Sequence, residues 1–195
     1  ENGAATAWSK PAKWSMGLLK PADWTAKWIG LDEVQAAGQQ VGDLAKAHWI
    51  WFPEGRPEQS APVGARHFRR TIAIPQGRVI RKATCQLTAD NSFELSINGK
   101  SVGTGSNFTQ LGVFDIASNL KTGNNIISVA AGNVGDAPNP AGLIGMIRIE
   151  FAQGAPMIIL TDKSWQVAER PDAQAWATAQ ELGLYGIGPW GNISV

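Results

Sequence analysis

Hydrophobic and polar positions alternate in short runs along most of this chain. Phe93, Leu95 and Ile97 are separated by Glu94 and Ser96. A period of two turns one face of a strand toward a core and the other toward water. The stretch 80–89 repeats the pattern, with Ala83, Cys85 and Leu87 against Lys82, Thr84, Gln86 and Thr88. Phe68, Ile72 and Ile74 enclose Arg69, Arg70 and Thr71 in the same manner. Shorter apolar runs at 49–52, 113–116, 126–131, 143–151, 158–160 and 165–168 read as further strands. Turn signals separate them. Asn98-Gly99 suits a type I′ hairpin, whose two central residues both need positive φ. Gly123-Asn124 marks another turn, and 54–64 is a loop rich in Pro, Gly and Ser. Many short strands punctuated every roughly 8–12 residues predict an all-β, antiparallel sandwich. Residues 171–182 open with Pro171 and are followed by Gly183, which predicts a short C-terminal helix.

The first 47 residues read differently. Trp8, Trp14, Trp24 and Trp28 make 1–30 a Trp-rich segment or linker of irregular structure. In 31–47, Leu31, Val34, Val41 and Leu44 approach helical spacing, but Gly38 and Gly42 interrupt it, so a helix and an irregular insert both stay open. The remaining span, 48–195, is the β module. No internal repeat or low-complexity segment occurs.

Charge narrows the partners. Seventeen basic and 16 acidic residues leave a net charge of +1, a balance that favours neither nucleic acid nor an anionic membrane. Strand alternation splits Arg66, His67, Arg69 and Arg70 between two faces, which argues against a polyanion site. No run of about 18 apolar residues offers a transmembrane helix. The chain begins ENGAATAW, without a charged segment followed by an apolar core. A signal peptide is therefore expected to have been removed or to lie outside this sequence. The single cysteine, Cys85, excludes an internal disulfide and reads as a small buried hydrophobe. His48 and His67 lack the spacing of zinc ligands. The acceptor pattern for N-glycosylation occurs at 107–109 and 192–194, a short motif that chance produces often. Nine tryptophans against one tyrosine point first to core packing and second to sugar stacking.

Several segments in order resemble a known family. WSMGLLKPADWTAKWIG is similar to the join between an N-terminal β-domain and the next module of bacterial α-L-rhamnosidases, glycoside hydrolase family 78. HWIWFPEG, APVGARHFRRTIAIP, TADNSFELSINGKSVG, FDIASNLKTGNNIISVAAGN, NPAGLIGMIRIEF and TDKSWQVA resemble the jelly-roll module that follows. That module is similar to carbohydrate-binding family 67 and to galactose-binding-domain-like folds. The catalytic domain of those enzymes is an (α/α) barrel of several hundred residues, for which this chain has no room. The resemblance thus implies an accessory module or fragment of a rhamnosidase-like glycoside hydrolase. It further implies a bacterial protein that is secreted, periplasmic or at the cell surface. The partners implied are a rhamnose-containing glycan and a catalytic domain.

Hydrolysis needs two carboxyls flanking one bond, and no spacing among the acidic residues singles out a pair, so no catalytic residue is assigned. Binding has better candidates. By resemblance, Asp90 and Asn91 are the pair that contacts a calcium ion and the sugar, calcium being a cation of carboxylate, amide and backbone oxygens. Such residues also close turns through side-chain hydrogen bonds. Asn133 and Asn139 lie in the loop NVGDAPNPAG, which leaves one strand and enters another. Trp51 and Glu54, at the mouth of the first loop, complete the expected sugar-binding set. Trp190, in GPWG, reads as a packing anchor for the tail rather than a stacking platform. The expected function is non-catalytic binding of terminal L-rhamnose or a similar sugar through calcium. The alternative is a structural spacer packed against a catalytic barrel.

Overall fold

A computed structural model of the protein describes residues 3, 9–13 and 43–193. Most of the Trp-rich segment 1–30, its four tryptophans included, and most of the 31–47 insert lie outside the described residues. The chain divides into two units, Glu1–Val34 and Gln35–Val195, and the strands belong to the second.

Among the described residues of this unit, twelve strands run in chain order. They are β1 (His48–Trp51), β2 (Gly64–Ile74), β3 (Ile80–Asp90), β4 (Ser92–Ile97), β5 (Lys100–Gly105), β6 (Gly112–Asp115), β7 (Gly123–Asn133), β8 (Gly142–Phe151), β9 (Met157–Leu160), β10 (Gln166–Ala168), β11 (Ala177–Thr178) and β12 (Gln180–Leu184). One four-residue helix, α1 (Pro57–Ser60), sits in the β1–β2 loop. The strands form two six-stranded sheets. The first has the order β12-β1-β8-β3-β6, with β9 also on β8; the second runs β11-β10-β2-β7-β4-β5. Every pairing is antiparallel. This is the sandwich that the alternation predicts.

The inward faces are the alternating apolar sets. Leu95, Ile97, Ile127, Val129 and Phe68 from the second sheet meet Ala83, Cys85, Leu87, Leu143 and Ile147 from the first. Cys85 belongs to this core, and burial pushes its thiol up to about 12, so it acts as a hydrophobe. The Asn98-Gly99 turn has φ of 52° and 77°, the left-handed pair a type I′ turn requires. β8 is buried on both faces. Its second face, through Ile144 and Met146, packs under Trp49, Trp190, Leu44 and Ile193, so Gly142–Phe151 reads as a near-continuous apolar run instead of alternating.

The C-terminal helix is not there. Residues 171–182 form a turn followed by β11 and the start of β12. Val167 pairs with Ala177, and β12 lies along β1. Gly183, expected to cap a helix, instead serves a bulge opposite Trp49/Ile50, at φ +153°. A Cβ there would lie 2.3 Å from the Ile187 side chain. Sheet edges available for pairing outweighed the local helix signals, as tertiary context often does. Among the described residues no helix is long and apolar enough to cross a membrane.

Candidate functional site: a corner where the chain changes sheets

β3 ends at Asp90 in the first sheet and β4 begins at Ser92 in the second, so the chain crosses between sheets at Asp90-Asn91. That peptide bond is cis. The loop from β7 to β8, residues 134–141, makes the reverse crossing. Register sets the two side by side, because Asp90 pairs with Gly142 and Ser92 with Gly132. The β1–β2 loop joins them. Ala61 and Asn139 exchange backbone hydrogen bonds, Ala61 N–H to Asn139 O at 2.8 Å and Asn139 N–H to Ala61 O at 3.1 Å. Three connections therefore meet at one end of the sandwich, the usual place for binding groups on a rigid scaffold.

Side chains lock this corner. The Asn91 backbone N–H donates to Gly132 O at 2.8 Å, and Asn91 Oδ1 accepts from the Val134 N–H at 2.6 Å. Asn139 Nδ2 donates to Ala137 O at 3.0 Å, within its own loop. Asn133 is 1 % exposed, and its Nδ2 donates to Ala61 O, Pro62 O and Asn139 O. Its Oδ1 is buried and has no hydrogen-bond partner among the described residues. Such an orphan acceptor costs about 1–3 kcal/mol unless something fills it.

Asp90 is 6 % exposed. Its Oδ2 accepts from Trp190 Nε1–H at 2.9 Å, while Oδ1 has no hydrogen bond among the described residues. Burial raises its pKa above the ordinary aspartate value, and the indole donor acts in the opposite direction. Trp190 is a packing anchor, as expected, stacked on Trp49 with ring centroids 4.1 Å apart and 19° between planes. The contact to Asp90 spans 100 residues and has no local signal in the sequence. Gly142 makes room for it, since a Cβ there would sit 2.7 Å from Trp49 and 2.8 Å from Trp190. Two exposed valines, Val134 (63 %) and Val63 (44 %), also belong to this corner by chain position; the sequence reading passed over both.

Trp51 and Glu54 do not join the corner as ligand groups. Trp51 is 0 % exposed within the core, beside Phe68, so neither ring face can stack on a sugar. Its Nε1–H donates to Glu54 Oε1 at 2.9 Å, and Glu54 holds the Arg66 guanidinium through two hydrogen bonds. The pair forms a brace under the β1–β2 loop. The partner that closes the brace, Arg66, lies twelve residues beyond Glu54, outside any local motif. Its inward position follows from the alternation of β2.

The donor set can be compared with the needs of a cation. Among the described residues no group of three or more His, Cys, Asp or Glu is gathered as for a metal. Calcium, however, takes amide and backbone oxygens as readily as carboxylates. Asp90 Oδ1, the orphan Asn133 Oδ1 and the remaining lone pair of Asn91 Oδ1 are of that kind. These residues fit a hard, oxygen-seeking ion and not zinc.

No family model matches the chain. An α-L-rhamnosidase of Streptomyces avermitilis is 32% identical over 209 aligned residues, which take in 99% of this chain. The chain is homologous to a part of the α-L-rhamnosidases. It spans only 20% of that relative's length. A crystal structure of the Streptomyces avermitilis α-L-rhamnosidase complexed with L-rhamnose superposes with a TM-score of 0.69 and 30% identity, over 91% of this chain and 18% of that one. A Pleurotus ostreatus lectin in complex with GalNAc superposes equally well, TM-score 0.69 at 28% identity, over 78% of this chain and 48% of the lectin. The rhamnosidase-like chain is thus a partial module whose sandwich is shared with a sugar-binding lectin.

Proposed function

We propose that this module binds carbohydrate without cleaving it, within a rhamnosidase-like glycoside hydrolase, and that the Asp90 corner is its site. The observation that carries the reading is the buried Oδ1 of Asn133, unpaired among the described residues, in the residue that follows Gly132, whose carbonyl accepts from the Asn91 N–H at the crossing. A rigid corner that leaves an acceptor unsatisfied is prepared for a group from outside the protein. The relative solved with L-rhamnose and the lectin solved with GalNAc support a sugar as that group. Asp90, Asn91 and Asn133 would hold a calcium ion, which would join protein oxygens to neighbouring sugar hydroxyls. Trp190 keeps the Asp90 carboxylate oriented, and Asn139 holds the loop that carries Val134. The exposed valines offer an apolar surface for the methyl group of a 6-deoxy sugar such as L-rhamnose. A partner catalytic domain would gain local substrate concentration from this contact.

Calorimetric titration of L-rhamnose into the chain, with calcium and with a chelator, tests the reading. Heat in calcium alone, with a Kd of roughly 10 µM to 1 mM for so small a ligand, is the expected result. Absence of heat and of any thermal shift in both conditions would leave the module a structural spacer.

A further inference from the structure

The outer face of the second sheet carries a cleft of about 440 Å³, within the roughly 300–1,000 Å³ typical of small-ligand pockets. Its shape follows from the residues that point outward. Arg69, Ser128 and Ser96 form one row across β2, β7 and β4; His67, Ala130 and Glu94 form the next. Rows on one face are about 6.8 Å apart and strands about 4.8 Å. In these two rows the central strand contributes the small side chains Ser128 and Ala130, so the floor is low there, and longer side chains stand on both sides. Ile126 closes one end, and Trp176, from the β10–β11 connection, stands over the β2 side.

One polar group of this cleft is held in place, and most of its hydrogen-bonding capacity is unused among the described residues. Arg69 lies flat on the Trp176 ring, 4.1 Å from its centroid, and its Nε–H donates to Gln166 Oε1 at 2.9 Å. Neither Nη has a hydrogen-bond partner among the described residues. The same holds for the Glu94 carboxylate and for the Ser96 and Ser128 hydroxyls. Burial lowers the His67 pKa, against the charge of Asp172, which favours a neutral ring. A held guanidinium thus stands diagonally across the floor from a free carboxylate, with two hydroxyls between. An anion would meet the guanidinium but also the repulsion of Glu94. Neighbouring sugar hydroxyls both donate and accept, so a single neutral ring can satisfy both charged groups.

We propose that this cleft is a second saccharide site, which takes a neutral pyranose unit without a metal ion. It is separate from the Asp90 corner, lying on a sheet face and not on a sheet crossing. The test is amide and indole NMR of the full 195-residue chain in chelator, which silences metal-dependent binding at the corner. The probes are methyl α-L-rhamnopyranoside and methyl β-D-galactopyranoside, with methyl α-D-galactopyranosiduronate as the anionic control, each to about 50 mM. Saturable shifts at Ser96, Ser128, Ala130 and the Trp176 indole are expected with at least one neutral glycoside. Ser128→Leu, which fills the floor, should weaken that Kd by about tenfold or more; Arg69→Met should do the same without adding bulk to the floor. No saturable shift at these residues with either neutral glycoside would overturn the proposal. So would tighter binding of the uronoside, or unchanged binding in a folded Arg69→Met chain. Heat from L-rhamnose in calcium is a separate result, so failure at the corner and failure at the cleft are told apart.

Discussion

Asp90 answers to two opposed demands. Burial raises its pKa, and the Trp190 indole supports its charge. A carboxyl whose folded pKa exceeds its unfolded value binds protons more readily in the native state. Its charged form therefore costs stability above the folded value, and that cost disappears as pH falls below both values. Asp90→Asn retains an acceptor for Trp190 and removes the charge. We expect this variant to melt above the parent at pH 7 in chelator, with the gap closing toward acid pH, measured by thermal denaturation across pH. The same variant should lose calcium-dependent sugar binding by calorimetry. In the parent, calcium-dependent affinity should begin to fall at a pH above the ordinary aspartate range. Glu54 differs in kind. It holds the buried Arg66 guanidinium, and Glu54→Ala would strand that charge at a cost of about 3–5 kcal/mol. Thermal unfolding should show the loss, while the fraction still folded binds sugar with unchanged Kd. A specific loss of affinity in a stable Glu54→Ala protein would restore Glu54 as a ligand group. Val134→Ser should reduce the preference for L-rhamnose over L-mannose, which carries a hydroxyl on that methyl, by about fourfold, the worth of one buried carbon. Competition titration measures it.

At the scale of elements, the strands were legible because one face of each is buried and the other wet; 93–97 and 80–89 show this residue by residue. β8 was legible only as apolar, since the tail covers its outer face through Trp190 and Ile193. Residues 171–182 misled because Pro171 and Gly183 carry helix-boundary signals while the edges of β1 and β10 lay open to pair. The Asp90-Asn91 pair was a candidate through the family resemblance, and it falls at the break between two alternating runs, where the chain changes sheets. Trp51 and Glu54 also lie beside a strand end and looked the same, but the inward course of the indole cannot be read without the opposing sheet. Gly142 belongs to this scale as well. Gly142→Ala would press a methyl between two indoles, costing about 1–3 kcal/mol and a Tm drop on the order of 2–10 °C. Calcium-dependent affinity should fall with it, because Trp190 is displaced from Asp90; a variant that melts early but binds normally would uncouple the indole from the site.

For the whole molecule, the sandwich brings residues far apart in sequence to one end. Asp90, Asn133 and Trp190 come from three separate stretches, and only the stacking of two sheets makes them neighbours. The sequence held each piece and its type, but the order of strands within the sheets decided which pieces met. The same order places Arg69, Ser128 and Glu94 on the opposite side of the second sheet from the core, so a terminal sugar and a second pyranose unit would occupy different surfaces. The Trp49–Trp190 stack has one more consequence, an optical one. Two nearly parallel indoles 4.1 Å apart couple their electronic transitions and split the far-ultraviolet circular dichroism into a pair of bands of opposite sign. Trp190→Phe should erase that couplet. Because the Trp190 N–H rests on Asp90, an ion arriving at the carboxylate should alter it too, giving the protein a built-in spectroscopic gauge of its own occupancy.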